Sequence, residues 1–154
     1  MDIKSFLSPT DVLMDVSAPD KARLLQMLSD RAASALNLPA DRIFHHLAAR
    51  EELGSTGTGA GIAIPHARVE GVKKPFGILA RLKRPMDFSS IDGKPVDLVF
   101  LLLLPTTSAG EQLNALASVA RRLRNPERLR GLRGAIHYSD LFHAFIAESG
   151  TSQE

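Results

Sequence analysis

The sequence predicts a three-layer α/β domain, a central sheet with helices on both faces. Three observations carry that prediction. The run from Val96 to Leu104 (VDLVFLLLL) is almost continuously apolar, as expected of a central strand covered on both faces. Stretches of helical periodicity lie before and after it. The resulting order, β-α-α-β-β-β-α-α-α, supplies helices for both layers.

The elements follow along the chain. Residues 12–16 (VLMDV) form a short strand. A helix spans about 19–36, where Leu24, Leu25, Leu28, Ala32, Ala35 and Leu36 recur at helical spacing and Asp20 can serve the first turn. Pro39 opens a second helix with Asp41 near its start, an apolar stripe of Ile43, Phe44, Leu47 and Ala48, and an end at Gly54. Three apolar segments come next: Gly61 to Ile64, Phe76 to Leu82, and Val96 to Leu104. Residues 71–75 and 84–95 are turn-rich connections. A third helix runs from about 109 to 124, with Ser108 and Glu111 at capping-box spacing and Leu113, Leu116, Ala120 and Leu123 as its buried stripe. Asn125-Pro126 breaks it. Short helices follow at about 127–133 and 140–148, the second carrying Leu141, Phe145 and Ile146. Residues 149–154 read as a frayed polar tail, leaving a single domain over 5–148.

Composition bounds the chemistry. With 154 residues, 44% hydrophobic and 23% charged, the chain has the balance of an ordinary globular protein. A formal net charge of +2 gives no case for coating nucleic acid. There is no cysteine, which excludes disulfides, zinc-thiolate sites and thiol nucleophiles. The N-terminus lacks the architecture of a signal peptide, and the longest apolar run, Val99 to Leu104, is far shorter than the ~20 residues of a membrane span. A cytoplasmic protein is expected, not embedded in a membrane.

The chemistry concentrates in residues 54–70, GSTGTGAGIAIPHARVE. The glycines could let backbone N–H groups approach an anion. The established nucleotide motifs do not fit, however. Gly54 to Gly59 has P-loop spacing, but Ala60 and Gly61 stand where the lysine and hydroxyl belong. The loop follows a helix and opens a strand, the reverse of a dinucleotide fingerprint. The bland alternative is a flexible connector.

His66 follows Pro65, which has no N–H for a ladder and stiffens the backbone. It should sit at or just past the C-terminal end of a strand, where open α/β sheets form their ligand crevices. Two residues could keep it company. Arg50, in the last turn of the second helix, lies at the margin of the apolar stripe and could reach inward. Gln112 lies in the first turn of the third helix, and helix N-termini favour anions. The alternatives are a structural histidine and an ordinary first-turn glutamine. A metal site is disfavoured, because His45 and His46 are adjacent, His137 and His143 lie far away, and no H-E-x-x-H occurs. Ser55 is only a candidate hydroxyl. The remaining reading is a nucleophilic histidine in a small anion pocket. Neutral imidazole, with a pKa of about 6.5, can attack phosphorus while Arg50 and the loop donors neutralise the transferring group.

The segment REELGSTGTGAGIAIPHARVEG closely resembles the phosphorylation-site segment of phosphotransferase-system enzyme IIA domains of the fructose/mannitol class, and most narrowly the nitrogen-regulatory enzyme IIA. IDGKPVDLVFLLLLP and LASVARRLRNPERLRGLRGA match the same family in order and spacing, so the resemblance covers about residues 5–148. It implies a mixed β-sheet between helical layers, and His66 as a phosphoacceptor modified on Nε2 by an HPr-like phosphocarrier (NPr). It further implies Arg50 as the pocket arginine and Ser55 and Thr56 as the hydroxyl-bearing loop, with no metal or other cofactor. Many relatives carry a second histidine where this chain has Gln112, which can hydrogen-bond a phosphoryl oxygen but cannot carry positive charge. That departure suits a regulator, whose phosphorylation state sets its binding to transporters or kinases, better than a component of sugar transport. A sugar-transport enzyme IIA is the alternative function. A binding module for a phosphate-bearing small molecule, never itself phosphorylated, is a third. The protein is then a histidine phosphotransfer component, not a free-standing metabolic enzyme.

Residues 121–133 (RRLRNPERLRGLR) hold six arginines and one glutamate. The bland reading is a solvated helix face; the functional one is a docking surface for an acidic partner. No aromatic residue falls in the stretch, so base stacking is unsupported.

Overall fold

The computed structural model describes residues 3–107 and 109–148, and the side chains of all of these except 109, 111 and 112. The elements are β1 (Val12–Val16), α1 (Lys21–Leu36), α2 (Ala40–Leu53), β2 (Gly57–Gly59), β3 (Ile62–Ala63) and β4 (His66–Arg68), then β5 (Phe76–Met86), β6 (Val96–Leu104), α3 (Ala109–Arg122), α4 (Pro126–Gly134) and α5 (Tyr138–Ile146). Among the described residues the sheet has six strands in the order β1-β5-β6-β3-β2, with β4 also pairing β6. It is mixed: β6 runs antiparallel to β5 and parallel to β3 and β4, β1 is parallel to β5, and β2 is antiparallel to β3.

The apolar run of β6 is central, as its composition requires. Its side chains feed two cores, because successive residues of a strand point to opposite faces. Leu98, Phe100, Leu102 and Leu104 pack with α3, α4 and α5, where Phe100 stacks on Phe145 with ring centres 5.1 Å apart. Val99, Leu101 and Leu103 pack with Leu24, Leu28 and Ala32 of α1 and Ile43 and Leu47 of α2. The two helical layers therefore lie on opposite faces. No helix among the described residues is long and apolar enough to cross a membrane.

The caps follow the sequence. Asp20 accepts from Arg23 N–H at 2.9 Å at the start of α1. Asn125, read as a breaker, also accepts from Arg128 N–H at 2.9 Å and so starts α4. Ser108 and residues 149–154 lie outside the described residues, as does the side chain of Glu111.

Several expectations are corrected. Two very short strands, β2 and β4, were not foreseen, because three residues carry no readable periodicity. Strand β5 runs on to Met86, through Pro85. The proline is accommodated where the register between β5 and β6 shifts, between Arg81 and Met86. On α3 and just past it Ala115, Val119 and Leu123 are buried, Leu116 and Ala120 pack half-buried against the same core, and Leu113 is 67% exposed. The arginine-rich stretch is also not simply a solvated face. Arg122 and Arg128 each donate to Phe145 O and Ala147 O at the end of α5, and Arg128 adds Ala144 O. Cations there satisfy carbonyls that the helix leaves without a partner. Arg133 forks onto Asp97 at 2.8 and 2.9 Å and reaches Ala60 O at 2.7 Å, pinning the turn between β2 and β3.

Candidate functional site

The glycine-rich segment is a built hairpin. Between β2 and β3 the chain turns at Ala60 and Gly61, both at positive φ (57° and 82°), the pattern of a type I′ turn. A Cβ at Gly61 would lie 2.8 Å from Asp97 Oδ1 and 2.5 Å from Arg133 Nη2 and would push that pair aside, and the positive φ itself favours glycine. Asp92 Oδ2 accepts from Ala60 N–H at 3.1 Å and ties the turn to the loop before β6.

The donors of this loop are spent inside the protein. Ser55 Oγ donates to Phe88 O at 2.6 Å and accepts from Gly57 N–H at 3.0 Å. Thr56 donates twice to Glu51, from its hydroxyl to Oε1 at 2.6 Å and from its N–H to Oε2 at 2.9 Å. Lys21 Nζ also reaches Glu51 Oε2 at 2.9 Å, and it sits 4.8 Å from the centre of the Phe88 ring. Burial alone would raise the Glu51 pKa. The Thr56 hydroxyl, Lys21 and the Thr56 N–H outweigh it and hold the carboxyl below its ordinary value. Glu51 is thus a charged hub joining α1, α2 and the loop.

Beyond β3 the chain prepares His66. Strands β3 and β4 both lie along β6, one after the other, with Ile62 and Ala63 opposite Leu98 and Val99, and His66 to Arg68 opposite Leu102 to Leu104. Pro65 fills the gap, contributing its carbonyl to Leu102 N–H at 2.9 Å. Ile64 N–H turns to Thr56 O at 3.0 Å, and the Ile64 carbonyl takes the His66 ring: Nδ1 lies 2.8 Å from Ile64 O. A carbonyl can only accept, so Nδ1 carries the proton. Nε2 then holds the ring's free lone pair. His66 lies past the C-terminal end of β3, as anticipated, but it also opens β4.

His66 is half-buried, and burial is the largest influence on its pKa, pushing it below 6.5. The bond to Ile64 opposes this, the Arg50 charge adds to it, and Glu51 opposes it more weakly. The imidazole is neutral at neutral pH.

A cleft of about 540 Å³ opens in front of this ring. Its walls are His46, Ala49, Arg50 and Leu53 from α2, His66 to Arg68 from β4, Leu104 from β6, and Leu113 and Leu116 from α3. It lies at the C-terminal ends of the parallel strands β4 and β6, where an open sheet is expected to bind ligands. Among the described residues no carboxylate lines it, whereas two arginines and two histidines do. Among the described residues no three His, Cys, Asp or Glu side chains cluster as a metal would need.

The structure brings Arg50 and His66 to one cleft. Arg50 also donates from Nη1 to Gly54 O at 2.9 Å, which fixes it against the end of its own helix. Ser55 and Thr56 are not among the cleft-lining residues, and their hydroxyls donate elsewhere. Gln112 falls in the first turn of α3, and its side chain lies outside the described part of the structure. The sequence reading missed His46, Arg68, Leu53 and Leu104. Spacing could have found three of them. His46 is one helical turn before Arg50, Leu53 is three residues after it, and Arg68 is two residues after His66 on the same side of a strand.

The chain is similar to known proteins over nearly its whole length. Residues 5–148 match the family model described as "Phosphoenolpyruvate-dependent sugar phosphotransferase system, EIIA 2". A nitrogen regulatory protein of Bradyrhizobium diazoefficiens is 42% identical over 135 residues, covering 88% of each chain. One from Escherichia coli is 36% identical over 155 residues, covering 100% of this chain and 95% of its own. The crystal structure of nitrogen regulatory protein IIA-Ntr from Neisseria meningitidis superposes with a TM-score of 0.88 at 33% identity, covering 93% of this chain and 98% of that one.

Proposed function

The chain belongs to the EIIA 2 family of the phosphoenolpyruvate-dependent sugar phosphotransferase system, and we propose that within it His66 is a phosphoacceptor whose charge state regulates partner proteins. One observation carries the reading. His66 Nδ1–H is held by Ile64 O at 2.8 Å, which leaves Nε2 as the nucleophile in a cationic cleft. Relatives named nitrogen regulatory proteins support the regulatory assignment.

The donor is a histidine-phosphorylated, HPr-like carrier, NPr, meeting this protein in the cytoplasm. Nε2 attacks phosphorus in line; the Nε2–P bond forms as the carrier's N–P bond breaks. The carrier's ring departs as neutral imidazole, taking the electron pair of the broken bond and keeping the proton on its other nitrogen. His66 keeps its Nδ1 proton. The positive charge left on its ring is stabilised by Ile64 O and by the phosphoryl dianion beside it. Arg50 offsets the charge of the transferring group. Ser55 and Thr56 serve by holding the loop and Glu51 in place, and Gln112, in the first turn of α3, is a further candidate hydrogen-bond donor. The product carries roughly two negative charges at one surface point, a change that a transporter or kinase surface can read. Incubation with phosphoenolpyruvate, enzyme I and the carrier tests the reading by intact mass. One acid-labile phosphoryl group is expected, and no gain with an active cascade would contradict it.

The cleft's rim supports a docking surface for the carrier. Leu53 is 85% exposed and Leu113 67% exposed, and both border the cleft. Apolar side chains displayed around a reactive centre mark a contact surface. Leu53→Ser is expected to raise the KM for the phosphocarrier at least about tenfold, the scale of a lost interface anchor. Labelling by phosphoramidate, which needs no docking, should stay at the wild-type rate. Steady-state phosphotransfer with both donors checks this.

A further inference from the structure

Two basic side chains of the cleft have no role in the fold. Arg68 makes no hydrogen bond or ion pair among the described residues, although it stands at the end of β4, two residues beyond His66. The His46 ring stands edge-on to the neighbouring His45 ring, with centroids 5.8 Å apart, and has no side-chain hydrogen bond or ion pair among the described residues. Both line the cleft with Arg50 and His66.

Five donors of the glycine loop are already engaged within the protein. The Ser55 and Thr56 hydroxyls and the N–H groups of Thr56, Gly57 and Ala60 all have protein acceptors. Arg50 already spends one nitrogen on Gly54 O. A phosphoryl group on Nε2 presents three oxygens and about two negative charges. The cleft must supply donors for them, and it offers these two.

We infer that Arg68 and His46 are direct ligands of the phosphoryl group carried by His66, Arg68 from the strand side and His46 from the α2 side. The alternation of β4 gives Arg68 the same side as His66. The i, i+4 relation on α2 gives His46 the same side as Arg50. A guanidinium suits this place, because its planar fork takes two phosphoryl oxygens at once. The inference rests on the phosphoacceptor reading of His66 and adds residues to it.

The test uses the full chain and phosphoramidate, a small donor that bypasses carrier docking. Wild type, Arg68→Gln, Arg68→Lys and His46→Gln are labelled side by side and followed by intact mass, with circular dichroism confirming that each variant is folded. Arg68→Gln and His46→Gln are expected to slow labelling at least about tenfold, the lower end for removing a donor that meets developing charge. Arg68→Lys should recover part of the rate. Wild-type rates from phosphoramidate in both glutamine variants would overturn the inference while leaving His66 as acceptor. So would slowing seen with the carrier alone, which would make these residues docking contacts. A wild type that accepts from neither phosphoramidate nor the carrier would sink the phosphoacceptor reading itself, and this inference with it.

Discussion

His66→Ala is expected to reduce phosphoryl acceptance to background, a loss of at least about a thousandfold, as for removal of a nucleophile. The fold should survive, because the ring is half-buried and its side-chain hydrogen bond is to Ile64 O. His66→Gln keeps a polar group of similar reach yet has no nucleophilic nitrogen, so it should be equally inert. Acceptance by either variant from the carrier would show that another residue is the acceptor. The same ring sets the pH profile. Burial first, then Arg50, depresses its pKa below 6.5 against the bond to Ile64 and the charge of Glu51. The reactive form is the neutral one. The labelling rate of wild type should therefore fall to half its plateau only at a pH below 6.5, once the ring protonates. The stability linkage has the matching sign. A depressed folded-state pKa means the unfolded chain binds the proton first, so this contribution is present above 6.5 and is lost as pH falls through the folded value. A rate that already halves near pH 7 would contradict the environment described for His66.

The second large effect is expected at Glu51. One carboxylate accepts from Lys21, the Thr56 hydroxyl and the Thr56 N–H, with its side chain 7% exposed. Glu51→Ala strands all three donors. Bonds to a charged group contribute about 1.5–3 kcal/mol each, and the Lys21 end is partly solvated, so a loss of about 2–4 kcal/mol is expected. Urea unfolding measures it. The loop should loosen in step, with faster hydrogen exchange at the Thr56 and Ile64 amides and slower phosphoryl acceptance by an intact His66. Glu51→Gln, which can still accept from Thr56, should fall between. The Glu51 pKa is held down, so this stabilisation is present above its ordinary value of 4.5 and is lost as pH falls through the lower folded value. A Glu51→Ala protein with wild-type stability and unchanged Thr56 exchange would refute the hub.

Much of the fold is legible in the sequence because several segments have one dominant signal. The apolar run of β6 can be satisfied only at the centre of a covered sheet. Asp20 and Asn125 announce their helices by capping chemistry, and both caps are present. The special backbone at His66 is legible too, since Pro65 can stand only where a ladder bond is missing. The rest depends on long-range partners that no local pattern contains. Ser55 and Thr56 read as donors for an anion, yet Phe88 and Glu51 take their protons. Leu113 sits at helical spacing with buried residues but stays exposed on the rim of the cleft. Arg122 and Arg128 look like surface charge until α5 presents its terminal carbonyls to them. Spacing sets His46 beside Arg50 and Arg68 beside His66, but that all four line one cleft depends on β4 and α2 meeting.

The account turns on which nitrogen of which histidine is modified. Long-range ¹H–¹⁵N correlation of the imidazole rings, recorded before and after phosphorylation by the carrier, reads this directly. The prediction is a His66 ring with its proton on Nδ1 beforehand and the phosphoryl group on Nε2 afterwards. A phosphoryl group on Nδ1 of His66, or on any of the other four histidines, would contradict it.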